Sequence, residues 1–367
     1  MYCRAFFIIG LFSDTDVSIQ IMIQKKIILT VLLFTSCRSN DLQEPPCDET
    51  AALRRISFAE ARMDSTSVNA WNSHASAIPT LYALLVVRRS GLVFEAYYQS
   101  TDSTTFFAQR SVTKSIIGAL TGVALYDHTI HNVSDKLSRY FPKYYEDISD
   151  NRARQITLKH LLTMSAGYAW NEVADRLYGN YVSFAVHLPM DTVPGRVFNY
   201  SSAVPHIISG ILSDRTDNKL ISWSRNKFFS KLGIDSMHWQ ADPQGIPLGG
   251  TGLYLRARDM AKIGMTYLDG GCYDGQRVFS DLWPDISFTD ALDDNHAYGH
   301  LWWLDEAMDY PAAYAFGYGG QLIYVVPALD IVVIATADPN VNYTVSDQVL
   351  TSVRQIIHND ILPSVIP

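Results

Sequence analysis

Residues 110–125 read Arg110-Ser111-Val112-Thr113-Lys114-Ser115-Ile116-Ile117-Gly118-Ala119-Leu120-Thr121-Gly122-Val123-Ala124-Leu125. Ile116, Ile117, Ala119, Leu120, Val123 and Ala124 cover more than the single apolar stripe of a surface helix. The pattern predicts a helix over 111–125 that is buried on most sides and forms the centre of the fold. At its start Ser111 and Lys114 stand three residues apart, which places them on one helical face about one turn from each other. A serine hydroxyl is a weak nucleophile near neutral pH and needs an adjacent base. A lysine shielded from water near the positive end of a helix can act as one. Ser-x-x-Lys alone is a short pattern that chance also produces. The simpler reading of these four residues has Ser111 capping the helix and Lys114 reaching solvent.

Outward from this helix, residues 81–88 and 92–98 are strand-like runs separated by Arg89-Ser90-Gly91, a hairpin that opens the domain. Residues 321–326 and 331–336 flank Pro327-Ala328-Leu329-Asp330 and form a second hairpin. Between them the periodicity is helical over 157–164, halted near Gly167, and over 204–212 and 257–268. The closing segment, 344–358, sets Val345, Val349, Val353 and Ile356 at helical spacing, with Thr344 and Asp347 as a capping pair. The expected fold is α/β. An antiparallel sheet is flanked by helices, and a mainly helical region, about 125–245, is inserted between its segments within a domain spanning 53–367. The start of the central helix then lies where helical region and sheet meet, a common place for a ligand cleft.

Lys25-Lys26, the apolar run 27–34 and the small residues before Cys37 read as a signal peptide over 1–36. The run is too short to span a bilayer. Phe34-Thr35-Ser36-Cys37 resembles a bacterial lipobox, which implies lipidation of Cys37 and a polar tether over 37–52. Met22 precedes the basic pair, so residues 1–21 are a candidate over-extended start. An exported lipoprotein, periplasmic or at the cell surface and held to a membrane by its N-terminal lipid, is expected. Spacing leaves Cys47 and Cys272 open to pairing or to remaining free thiols.

With 367 residues and 48% hydrophobic composition, the chain is long and apolar enough for a large core. A net charge of −8, with both signs mixed along the chain, argues against a nucleic-acid partner. His128 and His131 lack the carboxylate and third ligand of a metal motif, so no metal or other cofactor is expected. No P-loop, dinucleotide fingerprint or G-x-S-x-G elbow is present. Trp170 and the aromatics of 298–303 suit either a cleft wall or ordinary core packing.

The segment Arg110-Ser111-Val112-Thr113-Lys114-Ser115 resembles the nucleophile motif of the serine β-lactamase and penicillin-binding superfamily. Four more segments resemble that superfamily in the same order: Leu161-Leu162-Thr163-Met164-Ser165-Ala166-Gly167, 194–202, 252–259 and Gly317-Tyr318-Gly319-Gly320-Gln321. The resemblance spans roughly 81–358 and is nearest to the branch of class C β-lactamases, D-aminopeptidases, carboxylesterases and 6-aminohexanoate-dimer hydrolases. It implies an acyl-enzyme hydrolase with Ser111 as nucleophile and Lys114 and Tyr200 as proton-transfer residues. Ser202 stands where the tyrosine motif usually has asparagine. Tyr318-Gly319-Gly320 replaces the Lys-Thr-Gly triplet, and the amides of Ser111 and Gln321 are the implied oxyanion donors. An uncharged Tyr318 favours esters or neutral amides over penicillins, with Arg110, Arg196 and His300 as alternative sources of charge. A β-lactamase, a cell-wall D-amino-acid peptidase and a penicillin sensor that is acylated without turnover share the same machinery.

Overall fold

The computed structural model describes residues 44–47, 53–292 and 297–366. The leader, Cys37 and most of the tether lie outside them. A seven-stranded sheet organises the domain: β1 (Arg54–Arg55), β2 (Leu81–Arg88), β3 (Gly91–Tyr97), β4 (Trp303–Ala307), β5 (Tyr310–Gly317), β6 (Gln321–Val326) and β7 (Ile331–Ala337). Its order is β1-β3-β2-β7-β6-β5-β4, antiparallel throughout except for β1 beside β3. Strands from opposite ends of the chain, β2 and β7, pair at its centre, with Ile331 opposite Arg88 and Ala335 opposite Leu84.

Successive strand side chains point to opposite faces, and here both faces are covered. Leu84, Val86, Tyr324, Val333 and Ala335 meet the terminal helices α1 (Val68–Ser76) and α5 (Tyr343–Ile356). Leu85, Val87, Ile323, Val325, Val332 and Ile334 meet the helical region. That region, lying between β3 and β4 in the chain, contains α2 (Val112–Tyr126), α3 (Ala203–Arg215) and α4 (Ala257–Leu268). Burial on both sides explains why the strands read as unbroken apolar runs. In α2 every residue from Val112 to Ala124 is buried, so it is the central helix. Each of Ile116, Ile117 and Leu120, fully buried, contributes about 1.5–3 kcal/mol. The hydroxyl of Ser115 donates to Leu301 O at 2.6 Å and ties α2 to the segment leading into β4.

Two local readings change. The first hairpin turns on Arg89 and Ser90 alone, both left-handed with φ 51° and 58°, and Gly91 already opens β3. The backbone therefore follows the tight two-residue geometry that matches strand twist, without glycine in either turn position. Helix α5 is capped by Asn342, whose Oδ1 accepts from Val345 N at 3.0 Å, rather than by Thr344 and Asp347. Cys47 and Cys272, left open by spacing, form a disulfide.

His300, 6% exposed, lies edge-on to Trp283 behind α2. Burial, with the charge of Lys159 adding to it, pushes its pKa down to about 4 from an ordinary 6.5. The folded state thus holds His300 neutral. Its contribution is fully present above pH 6.5 and fades as pH falls toward 4, a loss of about 3 kcal/mol. Urea unfolding at pH 7 and pH 5 is expected to show a smaller stability loss in His300→Gln than in wild type. Equal losses would remove His300 as the source.

Candidate active site

Ser111 occupies the N-cap of α2 but makes no side-chain cap hydrogen bond. Its hydroxyl instead accepts from Lys114 Nζ at 2.8 Å. Lys114 is 1% exposed, so the alternative in which it reaches solvent does not hold in the fold. Its amine also donates to Ser202 Oγ and to Gly250 O, each at 3.0 Å. Three oxygens from three chain segments thus match the three N–H bonds of an ammonium.

Each segment is fixed from behind. Gly250 O can approach because the loop lies directly against the start of α3. A Cβ on Gly250 would sit 2.8 Å from Ser202 O, and one on Gly249 2.1 Å from Pro205 O. Gly249 N donates to His206 Nδ1 at 3.3 Å, and His206 Nε2 lies 3.0 Å from Asp242 Oδ2, both side chains being buried. Burial pushes the His206 pKa down, while the Asp242 contact works against that shift. Accepting from Gly249 leaves Nε2 as the donor to Asp242 in the neutral ring.

Tyr200 turns its ring toward the amine, with Nζ 4.8 Å from the centroid. It stacks on Trp303 at 5.4 Å and meets Tyr298 edge-on at 6.3 Å. Tyr298 is buried, and that burial, reinforced by Tyr200 and Glu172, raises its pKa well above the phenol range. Trp170 Nε1 donates to Glu172 Oε2 at 2.8 Å, and Ser202 N donates to the same oxygen at 2.7 Å. Ser202 Oγ donates to Glu172 Oε1, which lies 4.0 Å from Lys114 Nζ. Asn199 Nδ2 pins this segment by donating to Tyr168 O and Trp170 O, both at 3.1 Å.

On the sheet side, Gly317 at the end of β5 presses on the residues preceding Ser111. A Cβ there would lie 2.3 Å from Gln109 O and 3.1 Å from Arg110 Cβ. Arg110 is left-handed, φ 49°, a costly conformation for a residue with a side chain. It is held by Nη2, which donates to Pro339 O at 2.7 Å. In the turn that follows, the Tyr318 hydroxyl and the amides of Gly319 and Gly320 are engaged elsewhere. Tyr318 Oη donates to Val341 O, Gly319 N to Ser346 Oγ and Gly320 N to Gly317 O. Gln321 is fully buried, its side chain donating to Ala337 O at 2.6 Å. The strand end that packs against the residues before Ser111 is therefore Gly317, one residue before the triplet that the resemblance implies.

Ser111, Lys114, Tyr200 and Ser202 lie together, whereas Gly319, Gly320 and the Gln321 side chain are engaged elsewhere. Sequence reasoning missed Glu172, the Gly249-Gly250 loop and the His206–Asp242 pair. Trp170, noted as an aromatic, stands two residues before Glu172, but no spacing ties either to Ser111. Among the described residues, no group of three metal-ligating side chains converges and no helix is long and apolar enough to cross a membrane.

A buried lysine hydrogen-bonded to the serine at the start of the central helix, beside a strand end, is the arrangement expected of a serine hydrolase. The Beta-lactamase family model matches residues 68–349, and the chain belongs to that family. It is 23% identical over 321 residues to the 6-aminohexanoate-dimer hydrolase of Paenarthrobacter ureafaciens, covering 79% of this chain and 78% of that one. A candidate 6-aminohexanoate-dimer hydrolase from Bacillus anthracis shares the fold with TM-score 0.68 at 17% identity, covering 88% and 90% of the two chains. EstCE1, a hydrolase with promiscuous acyltransferase activity, does so with TM-score 0.63 at 15% identity, covering 77% and 98%. The protein is a hydrolase on the β-lactamase and penicillin-binding-protein fold.

Gly317→Ala is expected to push β5 away from Gln109 and slow labelling of the protein by a fluorophosphonate about 10²-fold, because reacting groups displaced by about 1 Å lose that much. Thermal melts of the same variant check that it stays folded. An unchanged labelling rate would detach β5 from the site.

Proposed function

We propose that the protein hydrolyses neutral esters or amides through an acyl-enzyme formed on Ser111. The observation that carries this reading is the 2.8 Å hydrogen bond between Ser111 Oγ and the buried Lys114 amine. Lys114, with Tyr200 beside it, takes the serine proton as Oγ attacks the carbonyl carbon and returns it to the leaving group. Water then attacks the acyl carbonyl and regenerates Ser111. Backbone amides at Ser111 and at the Gly317–Tyr318 end of β5 supply the oxyanion site.

Preference for neutral substrates is supported by the surroundings. Tyr318 carries no charge and donates to Val341 O, Arg110 is committed to Pro339 O, and His300 is buried behind α2. A fluorophosphonate is expected to label wild type and not Ser111→Ala. Short-chain p-nitrophenyl esters should turn over at least about tenfold faster in kcat/KM than nitrocefin or D-alanyl peptides, equivalent to about 1.4 kcal/mol of transition-state preference. Labelling of Ser111→Ala would remove the mechanism, a stoichiometric burst without turnover would make the protein a sensor, and faster nitrocefin hydrolysis would reverse the substrate class.

We further propose export and anchoring through a lipidated Cys37. The Cys47–Cys272 disulfide supports export, since such bonds persist in oxidising compartments. Cell fractionation is expected to find wild type with membranes and Cys37→Ala released. Cys37→Ala remaining with the membrane fraction would exclude a lipid anchor at that residue.

A further inference from the structure

Lys114 has three acceptors around it, an arrangement that suits the charged ammonium, whereas the proposed mechanism needs a neutral amine. A proton must therefore leave Lys114 before it can take the one on Ser111. Bulk water is poorly placed to receive it, because the amine is buried. Ser202 Oγ accepts from Lys114 Nζ at 3.0 Å and donates to Glu172 Oε1, so amine, hydroxyl and carboxylate form one continuous chain. The far end is held rigidly, since Glu172 Oε2 accepts from both Trp170 Nε1 and Ser202 N.

We propose that Glu172 stores the proton of Lys114, relayed through the hydroxyl of Ser202. This inference rests on the acyl-enzyme reading above. Lys114 gives a proton to Ser202 Oγ as Ser202 gives its own to Glu172 Oε1. One N–H bond breaks, the hydroxyl is renewed, and a carboxylic O–H forms. The ion pair becomes a neutral amine and a neutral acid with no net change in charge or proton count. Lys114 then accepts the Ser111 proton during attack, and the relay runs backward when the site resets. The serine at position 202 thus has a task that the amide of asparagine could not perform, because the relay needs a group that accepts and donates through one atom. Glu172 acts through Ser202 and is a positioning residue. The charged and titratable groups near it are Lys114 from α2 and the buried Tyr298 ahead of β4, while Asp175 in the same turn accepts from Asn171 N.

The test measures p-nitrophenyl ester hydrolysis against pH, normalised to fluorophosphonate-titrated sites, with thermal melts of every variant. Wild type is expected to be level from about pH 7 to 9. Glu172→Gln, which retains an acceptor for Ser202 N, should lose about 10²-fold in kcat/KM at pH 7 and recover about tenfold per pH unit above it, because hydroxide now takes the proton. Ser202→Ala, which leaves the carboxylate in place, should show the same slope, and Ser202→Thr should restore the level profile. Profiles of Glu172→Gln and Ser202→Ala parallel to wild type, at whatever rate, would overturn the relay. Turnover by Ser111→Ala would instead overturn the acyl-enzyme reading beneath it, so the two failures are distinguishable.

Discussion

The site depends on the cost of burying an amine. An ammonium removed from water must find a hydrogen-bond acceptor for each N–H or become neutral, and Lys114 meets that demand with one oxygen each from the Ser111 turn, the start of α3 and the Gly249-Gly250 loop. These segments lie far apart in the chain, so satisfying one nitrogen brings three parts of the helical region to a common point. Glycines at 249 and 250 permit the close approach, and His206 with Asp242 keeps the loop from drifting.

The same point is braced from the sheet. Gly317 lies against Gln109 and Arg110, while Arg110 holds an unfavourable backbone conformation through its bond to Pro339 O in the segment after β7. Strain immediately before Ser111 is thereby opposed by contacts from the end of β5 and from the segment after β7. The aromatic group of Tyr200, Tyr298 and Trp303 closes the third side, with ring packing setting how Tyr200 presents itself to the amine.

What could be read from the sequence follows from how locally each feature is determined. A helix apolar on all faces needs no partner to be recognised, and Ser111 with Lys114 follows from the rise of one helical turn. Tyr200 was legible through resemblance, since a tyrosine after Pro194-Gly195 has no local mark of its own. Glu172 and Gly250 were not legible, because their relation to Lys114 exists only after the turns around Asn199 and Gly249 have folded. The strand end that packs beside Ser111 was not legible for a similar reason. A run of Gly-Tyr-Gly-Gly offers several glycines, and only contact with Gln109 singles out Gly317.

The pairing of β2 with β7 has a temporal consequence. Strand β2 ends at residue 88 and its neighbour begins at 331, so the middle of the sheet stays incomplete until nearly the whole chain has been synthesised. Contacts of such long sequence separation form slowly. The apolar faces of β2 and β3 must wait for their partner, and the segment carrying Pro339, which restrains Arg110, follows only after β7. The surroundings of Ser111 and Lys114 are thus complete only when the chain beyond residue 331 is in place, so a chain truncated before residue 331 is unlike a finished one even though it contains Ser111, Lys114 and Tyr200.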